Sequence, residues 1–387
     1  MIDDLLLEKR GLYDELAEFS RINIEPYANL WDKNEEVSHE TIKLCAESGY
    51  LGAMISREYG GLEWDCISFG ILNETIGRAS TSLTGLFNVH TMVAQTLLKW
   101  GTDEQKNLWL PKMSKGEVIG AFALTEPGAG SDIQSIETTC SLEGEDLVLY
   151  GKKRWITFGG IADIFLVFGK LEGKPVACIV DKNTPGFSVT PVDNMLGFRA
   201  AHLAVLSFDN CRINKFNIIG RPGFAFSHLV PYALEFGRLS VAFAALGTIQ
   251  GCMEICGAHV MERRTFNARL IEHGMIGTMI ADMGVDLEAV KLLCFNAAKV
   301  KDAHLAEATE KILIAKYFAS RAAVRHSANA VQIMGALGCN ENNPVARYYR
   351  DTKAMEIIEG SNQITQMLLG KSFARKSKSV KRAQVNK

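Results

Sequence analysis

The sequence predicts an α+β fold that is mostly α-helical, with a β-domain between two helical regions. Apolar residues recur at three- and four-residue spacing in the N-terminal and C-terminal parts of the chain, as on the buried faces of helices. The middle part instead contains short runs bounded by Gly, Asp, Asn or Pro, which is typical of antiparallel strands. The chain has 387 residues, of which 47% are hydrophobic, and this length favours two or three domains.

The N-terminal helical domain is predicted to cover residues 1–118. Its segments HETIKLCAESGYLGAMI (39–55) and HTMVAQTLLKW (90–100) have apolar residues at helical spacing. The intervening SREYGGLEWD (56–65) contains two adjacent glycines and predicts a loop. We therefore expect helices separated by short breaks at glycine-containing turns.

The middle β-domain is predicted over residues 119–225. Five short runs in this region are rich in β-branched and aromatic residues, and each is bounded by residues that favour turns. These runs are VIGAFALT, DLVLYG, DIFLVFG, PVACIVD and AVLSFD. Their length and spacing predict a compact antiparallel domain.

The C-terminal helical bundle is predicted over residues 226–387. The stretch VPYALEFGRLSVAFAALGTIQGCMEICGAHVMERR (230–264) is long and has few helix breakers, and EKILIAKYFASRAAVRHSANAVQIMG (310–335) predicts a second long helix. A stripe of apolar residues at alternating four- and three-residue spacing predicts the seam of the bundle. The stripe consists of Met279, Met283, Leu287, Val290, Cys294 and Ala297. A short basic tail follows Gly370.

Composition and charge argue against several classes of protein. The net charge is −2 and the pI is about 6.5, so no nucleic-acid partner is expected. Nine cysteines without a C-x-x-C pair predict neither a disulfide framework nor a zinc site, and no metal is expected. The N-terminal MIDDLLLEKR is too acidic for a signal peptide, and no uninterrupted apolar run predicts a membrane span. A cytoplasmic location is therefore expected.

Four stretches carry residues suited to binding or catalysis. The first, FALTEPGAGSD (122–132), is a predicted strand that ends in a glycine-rich loop. The glycines allow a ligand to approach the backbone, and Thr125 and Ser131 add hydroxyl donors. An ordinary glycine-rich loop after a strand is the alternative. The run lacks the G-x-G-x-x-G pattern, so a Rossmann nucleotide site is not supported.

Two further stretches contain side chains that suit a flat, phosphorylated ligand. In KRWITFGG (153–160), a tryptophan on a strand can stack on a planar ring and the next-but-one threonine can offer a hydroxyl. In ERRTFN (262–267), arginines at the end of a long helix suit a pyrophosphate. The alternatives are a core tryptophan and a solvated helix end with Glu–Arg pairing.

The fourth stretch, MEIIEGSNQIT (355–365), places Glu359 just before a predicted helix. Ser361 is a plausible N-cap, and Gly360 permits a tight turn before it. The two isoleucines that precede Glu359 suggest apolar surroundings, which raise the pKa of a carboxyl and make it a stronger base. The alternative is an exposed glutamate that interacts favourably with the helix dipole.

Taken together, the four stretches resemble the acyl-CoA dehydrogenase family in order and spacing. The resemblance covers nearly the whole chain and rests on four segments. These are REYGGLEWD, GTDEQKNLWLPKMSKGEVIGAFALTEPGAGSD, KRWITFGGIADIF and QIMGALGCNENNPVARYYRDTKAMEIIEGSNQI. The resemblance implies a helical domain, a β-domain and a four-helix bundle, with FAD bound between the β-domain and the bundle of a homodimer or homotetramer.

The resemblance also implies roles for individual residues. The flavin and thioester site would be lined by Phe122, Leu124, Thr125, Gly130 and Ser131, with Trp155, Ile156 and Thr157 at the isoalloxazine ring. FAD contacts from a neighbouring subunit would come from Arg263 and Thr265, with Phe266 packed nearby. Adenine-side contacts would be Gln332 and Gly335, and contacts after the catalytic base would be Ser361 and Gln363. Substrate contacts would be Ser131, Glu235, Arg238 and Gly360, with Arg238 near the outer end of the substrate.

Glu359 matches the catalytic base of the family. The resemblance implies that its carboxylate removes the α-proton of an acyl thioester while the β-hydrogen leaves as hydride to flavin N5. The thioester carbonyl would be held by the backbone N–H of the base and by a ribityl hydroxyl of the flavin. Such oxyanion contacts are generally worth roughly 3 to 4 kcal/mol each.

Three positions depart from the common pattern of the family. Phe158 stands where an asparagine usually follows Trp-Ile-Thr, Gly274 where a glutamine follows Glu-His, and Ala336 where a second glycine follows Gly335. These departures affect expected contacts with FAD and between subunits. They leave the base itself in place.

The substrate is predicted from weaker features. The segments RYYRDTKAMEIIEGSNQ and ADIFLVFGK are similar to relatives that oxidise short polar acyl groups on an acyl carrier protein, as in hydroxymalonyl- and methoxymalonyl-type extender units of polyketide pathways. A basic tail could steer an acidic carrier protein, although a solubilising tail is the simpler interpretation. The alternative substrate is an ordinary short- or medium-chain acyl-CoA thioester.

The electron acceptor also stays open between an electron-transfer flavoprotein and O₂. An oxidase or alcohol-oxidising variant and a non-catalytic flavin-binding homologue are further alternatives. Retention of Glu359 argues against the last of these, since a binding module has no use for the base.

Overall fold

The computed structural model describes the backbone of residues 7–385 and the side chains of residues 7–377. The N-terminal part of the chain is helical. Its helices are α1 (Arg10–Asn23), α2 (Ala28–Asn34), α3 (His39–Glu47), α4 (Cys66–Ala79), α5 (Thr81–Trp100) and α6 (Asp103–Ser114). Polar side chains fix several of the helix starts: the Asp65 carboxylate accepts from Ser68 N at 2.7 Å, and Thr102 and Gln105 form a reciprocal capping box at α6.

The middle of the chain forms one sheet. Its strands are β1 (Gly120–Ala123), β2 (Thr139–Glu143), β3 (Asp146–Ile156), β4 (Ile164–Leu171), β5 (Lys174–Asp181), β6 (Phe187–Pro191) and β7 (Ala204–Asn214). The strand order is β1-β4-β2-β3-β7-β6, with β5 paired to the other side of β4. The pairings are antiparallel except that β1 and β2 each run parallel to β4. The predicted antiparallel domain is therefore mixed, because long crossovers bring β1 and β2 to β4.

The C-terminal part is a helical bundle. Its elements are α7 (Val230–Glu262), the short hairpin β8 (Arg264–Thr265) and β9 (Ala268–Arg269), α8 (Gly274–Asp302), α9 (Ala308–Met334), α10 (Pro344–Met355) and α11 (Asn362–Val385). The predicted apolar stripe lies on α8. Met283, Val290, Cys294 and Ala297 are fully buried, and Met279 and Leu287 pack against the core. The basic tail continues α11 as helix to Val385.

Helix α7 is the central element of the molecule, because it packs against α4 and α5 as well as α8 and α9. Gly247 permits the closest approach: a Cβ there would lie 2.0 Å from the carbonyl oxygen of Glu74 in α4. The segment Ala225–Glu262 is long and apolar enough to cross a membrane, but 78% of its most apolar window is buried in the protein. Its apolar surface is therefore accounted for by packing.

The observed architecture confirms the predicted α+β, mostly helical fold. One segment differs: the apolar spacing over 39–55 continues past the end of α3 at Glu47. Gly49 has a φ of 79°, which breaks the helix and leads into a 3₁₀ turn at Tyr50–Gly52.

Candidate active site

A large cavity of about 1550 Å³ lies between the sheet and the helices that flank it. Its walls come from α5, from the loop after β1, from the end of β3, from α7 and from the turn between α10 and α11. Of the residues predicted from the sequence, it gathers Phe122, Leu124, Thr125, Gly130, Ser131, Trp155, Ile156, Thr157, Arg238, Glu359, Gly360 and Ser361. The fold thus brings segments 122–131, 155–157 and 359–361 to one place.

The end of strand β3 presents Trp155 to the cavity. Between Lys153 and Ile156 the pairing with β7 shifts by one residue, which is a β-bulge. Trp155 has a φ of 62°, and 43% of its surface is exposed. Because an ordinary strand residue in the core would not be exposed in this way, the alternative of a core tryptophan is wrong. The ring has an open face suited to a planar ligand.

The loop after β1 is tied to the end of β3. Arg154 N donates to Thr125 O at 2.9 Å, so a backbone hydrogen bond joins the two predicted flavin-contacting segments. A Cβ built at Gly128 or Gly130 would meet no atom within 4 Å, so both glycines border open space. This arrangement forms a cradle with free backbone and hydroxyl groups, and it fits a flat, phosphorylated ligand such as FAD.

A buried ion pair between Lys153 and Glu126 fixes the loop that forms this cradle. Lys153 Nζ donates to Glu126 Oε1 at 2.7 Å and to Leu124 O at 3.1 Å. Burial disfavours the charged form of Glu126, but the Lys153 ammonium and a backbone N–H outweigh it and hold the pKa of Glu126 below its ordinary value. The carboxylate also accepts from Thr138 N at 3.0 Å. The loop between Leu124 and Ser131 is therefore anchored at its buried acidic residue.

Glu359 lies in the turn between α10 and α11, with a φ of 56°. Asn88 Nδ2, from α5, donates to its carboxylate Oε1 at 3.2 Å. Gly237 of α7 lies on the other side, and a Cβ there would be 2.4 Å from Glu359 Oε2. Burial raises the pKa of Glu359, although Arg238, Asn88 and Lys316 each oppose the shift. The carboxylate is thus in contact with two core helices, and the alternative of a solvated glutamate is wrong.

The source of this burial differs from the sequence interpretation. Ile357 is 61% exposed, and Ile358 is only partly buried against the core. The surroundings of the carboxylate come instead from residues distant in sequence, namely Asn88 and Gly237. No local pattern identifies either of them, since each lies within a long helix among residues of similar type.

Two cations hold the backbone of the turn. Arg238 Nε donates to the carbonyl oxygen of Glu359 at 3.0 Å, and Lys316 Nζ donates to that of Gly360 at 2.9 Å. Ser361 Oγ accepts from Ile364 N at 3.4 Å and so caps α11, as its position predicts. Among the described residues, the backbone N–H of Glu359 has no acceptor and is free to donate to a ligand.

Glu235 is the one predicted substrate contact that the structure places outside the cavity wall. Its carboxylate accepts hydrogen bonds from Lys301 and from the Thr309 hydroxyl. Both oxygens are occupied by these partners, so Glu235 fixes the start of α9 rather than facing the cavity. Thr309 itself lines the cavity.

The remaining predicted cofactor contacts do not line the cavity. Arg238 lies in α7, and Arg263 lies just past the end of the same helix. The 25 positions between them correspond to roughly 37 Å at helical rise. Phe266 in the adjoining hairpin is 95% exposed. Gln332, Gly335 and Gln363 are also exposed and line no part of the cavity. Within one copy of the chain these residues do not meet the cradle.

The departures from the family pattern are accommodated without disturbing the cradle. Phe158 is fully buried, with its ring 5.4 Å from that of His202. Gly274 begins α8, and a Cβ there would meet nothing within 4 Å. Ala336 is exposed in a 3₁₀ turn. The described cysteines are free thiols, and the exposed one is Cys339.

Comparison with known proteins shows the family of the chain. Three family models match consecutive parts of the chain: the N-terminal domain of acyl-CoA dehydrogenase at residues 7–117, its middle domain at 121–211 and its C-terminal domain at 228–374. An acyl-CoA dehydrogenase of Bacillus subtilis (strain 168) is 34% identical over 362 residues, which cover 92% of this chain and 95% of that protein. The chain belongs to the acyl-CoA dehydrogenase family.

Further relatives cover nearly the whole chain. A short-chain specific acyl-CoA dehydrogenase of Clostridium acetobutylicum is 33% identical over 377 residues, covering 96% of this chain and 99% of that protein. The structure of butyryl-CoA dehydrogenase from Megasphaera elsdenii matches with a TM-score of 0.91 and 28% identity, covering 95% and 98% of the two chains. A structure named FkbI for biosynthesis of a methoxymalonyl extender unit matches with a TM-score of 0.86 and 28% identity, covering 94% and 99%.

Family membership establishes the general activity. This acyl-CoA dehydrogenase is a flavin-linked oxidoreductase that acts on CH–CH groups of acyl-CoA thioesters and uses FAD. The predictions of family, fold, enzyme class and cofactor are therefore confirmed.

Proposed function

We propose that this enzyme oxidises short-chain acyl-CoA thioesters, with Glu359 as the base that removes the α-proton. The observation that carries the proposal is the placement of the Glu359 carboxylate in the cavity wall between Asn88 and Gly237. A carboxylate in such contact with two core helices is partly desolvated, so it is a stronger base than one in water.

The side chain and the backbone of the turn have separate roles in the reaction of the thioester. The Glu359 carboxylate accepts the α-proton, and the negative charge that develops moves to the thioester carbonyl oxygen. The free backbone N–H of Glu359 can donate to that oxygen, because no described residue occupies it. Arg238 and Lys316 meanwhile hold the two carbonyl groups of the turn, which fixes the direction of the N–H and of the carboxylate.

The cradle formed by the loop after β1 and the end of β3 suits FAD. Trp155 and Thr157 would face the ring system, and Thr125 and Ser131 would offer hydroxyl groups from the loop. When bound, FAD accepts the hydride that leaves the β-carbon as the α-proton is removed. The chain itself contributes the base, the carbonyl donor and the cavity wall beside the reacting carbons.

Two lines of support favour a short acyl-CoA chain. The relatives from Clostridium acetobutylicum and Megasphaera elsdenii are named for short-chain and butyryl substrates. In this chain, Met92 lies beside the base, with its sulfur 3.0 Å from a Cβ built at Gly237. Its side chain fills space next to the reacting carbons, which favours small acyl groups there.

A thioester on an acyl carrier protein is the second candidate. It is favoured by the similarity to the methoxymalonyl-pathway protein and by the basic residues of α11, such as Lys371 and Arg375. Acidic carrier proteins are attracted to basic surfaces. The acyl-CoA names of the sequence relatives favour the first candidate, so the carrier-protein prediction ranks below it.

The proposal extends to the assembly and to the electron acceptor. A homodimer or homotetramer would bring the hairpin that carries Thr265 and Phe266 to the cradle of a neighbouring copy. An electron-transfer flavoprotein would then reoxidise the enzyme, with O₂ as the alternative acceptor. Hydrogen peroxide formed in air measures the share of the second route.

Anaerobic bleaching of flavin absorbance tests the proposal. We expect butyryl-CoA to bleach the purified enzyme faster than octanoyl-CoA or than the butyryl thioester of an acyl carrier protein. Glu359→Gln should retain flavin but lose bleaching by at least about 100-fold. Glu145→Gln, which removes a carboxylate from an exposed ion pair with Lys215, is the matched control and should bleach normally. Normal bleaching by Glu359→Gln would refute the assignment of the base.

A further inference from the structure

Lys316 is a fully buried lysine in the middle of α9, beside the turn that carries the base. Its Nζ donates to Gly360 O at 2.9 Å and to Asn362 Oδ1 at 3.1 Å. Asn362 is the first residue of α11 and is held in turn by Ser320, one helical turn beyond Lys316. Lys316 therefore binds both the residue that follows Glu359 and the start of the helix behind it.

We propose that Lys316 is a positioning residue of the reaction: it holds the turn that carries Glu359, and its positive charge keeps the Glu359 carboxylate ionised. This inference rests on the proposed role of Glu359 as the base. Lys316 does not line the cavity, and it acts through Glu359 rather than on the thioester or FAD.

The hydrogen bonds explain the positioning part of the role. Glu359 has a left-handed backbone conformation, which is strained for a residue with a side chain. The turn keeps this conformation because its carbonyl groups are fixed on two sides, by Arg238 from α7 and by Lys316 from α9. Asn362 N closes the turn by donating to Glu356 O at 2.8 Å.

The charge explains the second part. Lys316 and Arg238 both favour the ionised form of Glu359, and Asn88 adds a hydrogen bond from α5. The charged groups facing Lys316 are Glu359, Arg238 and Glu356, and the Glu356 carboxylate accepts from Lys353 at 2.7 Å. Burial lowers the pKa of Lys316 to about 8, with Glu359 opposing that shift, so the lysine is charged at neutral pH.

A purely structural role would not call for a lysine. Bringing an ammonium group into the core carries a large desolvation penalty, whereas a neutral amide can satisfy a carbonyl oxygen without it. The buried lysine therefore supplies charge as well as a donor at this position. The carboxylate that this charge stabilises belongs to Glu359, the residue before Gly360, whose carbonyl oxygen accepts from Lys316.

The experiment measures the pH dependence of flavin bleaching by butyryl-CoA in the holoenzyme. Lys316→Met removes both donor and charge, Lys316→Gln keeps an N–H donor but removes the charge, and Lys316→Arg keeps both. Lys215→Met removes a lysine from an exposed ion pair and is the matched control. Rates are normalised to bound flavin, so loss of folded enzyme does not shift the midpoint.

The bleaching rate should rise with pH as the base ionises. We expect the midpoint to move up by about one pH unit in Lys316→Met and Lys316→Gln, because a neighbouring positive charge lowers the pKa of a carboxyl. Lys316→Arg and Lys215→Met should keep the wild-type midpoint. The difference in bleaching rate between the neutral variants and wild type should shrink above pH 8, where Lys316 itself loses its proton.

An unchanged midpoint in both neutral variants would overturn the proposal, even if they were slower at every pH. Amide hydrogen exchange in the peptide 356–365 provides a second readout and should be faster in Lys316→Met than in Lys316→Arg. Glu359→Gln distinguishes a failure of the proposed base from a failure of the proposed role of Lys316. If it bleaches normally, the base is misassigned; if it is inactive while the Lys316 midpoints do not move, only the role of Lys316 fails.

Discussion

At the scale of single residues, Glu359 combines an unfavourable backbone conformation with a partly desolvated charge. Each of these costs stability: a left-handed conformation costs of order 1 kcal/mol for a residue with a side chain. The surrounding groups offset the cost by fixing the carbonyl groups of the turn and by hydrogen bonding the carboxylate. Strain concentrated at one residue, and supported from three helices, is expected where geometry matters for chemistry.

Gly237 is predicted to be essential because the carboxylate of Glu359 occupies the place of its missing side chain. The methyl group of Gly237→Ala would lie 2.4 Å from Glu359 Oε2, well inside van der Waals contact. We expect the carboxylate to be displaced and bleaching by butyryl-CoA to slow by about 100-fold, with flavin still bound.

Gly257→Ala on the same helix is the control for Gly237→Ala. A Cβ at Gly257 would meet no atom within 4 Å, so this change should leave the bleaching rate unaltered. It should also stabilise α7 by roughly 1 kcal/mol, the usual difference between alanine and glycine inside a helix. Equal rates for the two variants would contradict the packing of Glu359 against Gly237.

The sequence predicted the residues that stand in local patterns and missed those that act from a distance. Glu359, Ser361 and Trp155 are recognisable because each belongs to a short motif. Asn88 and Lys316 contact the turn across 271 and 44 positions. Lys316 does leave one signal, since it is a lone lysine between apolar residues in ILIAKYFA.

At the scale of elements, α4 contains a buried carboxylate that the reaction does not use. Glu74 is 4% exposed, and its Oε2 has no hydrogen-bond partner among the described residues. Burial raises its pKa to about 7, although Lys291 opposes the shift. The folded protein therefore binds this proton more tightly than the unfolded chain does.

Stability should consequently fall as pH rises through the range between the ordinary and the raised pKa of Glu74. The contribution of a raised pKa is fully present below about 4.5 and lost by about pH 7. Glu74→Gln should remove this loss and stabilise the protein at pH 8 by up to about 3 kcal/mol, with little gain at pH 4.5.

Thermal unfolding at pH 4.5, 6 and 8 measures this effect in wild type and in Glu74→Gln. The control is Glu254→Gln, which changes an exposed glutamate of α7 that pairs with Arg78. It should show the wild-type dependence on pH. If the stability of Glu74→Gln depends on pH as that of wild type does, another group is responsible for the loss of stability at high pH.

The elements themselves were largely predictable, and the exceptions have physical causes. Helices α7, α8 and α9 follow from their apolar spacing, and the strands from their bounded β-rich runs. The parallel pairing of β1 and β2 with β4 was not predictable, because pairing depends on which distant strand supplies the neighbouring edge. The bulge that exposes Trp155 depends on register with β7 and likewise leaves no local mark.

At the scale of the whole molecule, the cavity joins all three parts of the chain. Asp351 of α10 shows how they are held together. It is fully buried, and it accepts from the Thr81 hydroxyl at the start of α5 and from Phe198 N at 2.8 Å in the β-domain. Because Phe198 lines the cavity, this carboxylate links the wall of the site to both helical regions.

The hairpin after α7 bears on the proposed assembly, in which a second copy of the chain completes the flavin site. Phe266 is 95% exposed, and nearby Met275 is 81% exposed, so this end of the molecule has apolar surface that its own chain does not cover. Arg263 lies roughly 37 Å along α7 from Arg238, the residue that binds the turn carrying the base. In the proposed assembly, a second copy related by symmetry would bring the same hairpin to the cradle.

Mixed oligomers test this arrangement directly. Arg263→Ala alone should lose flavin, and Glu359→Gln alone should keep flavin but not bleach. If the arginine serves the neighbouring copy, a mixed dimer has one site with both native residues, because each chain supplies what the other lacks. Co-expression should then restore roughly a quarter of the wild-type bleaching, since half of the dimers are mixed and one of their two sites is intact. Co-expressed chains that bleach no more than either variant alone would show that Arg263 does not complete the site of a partner.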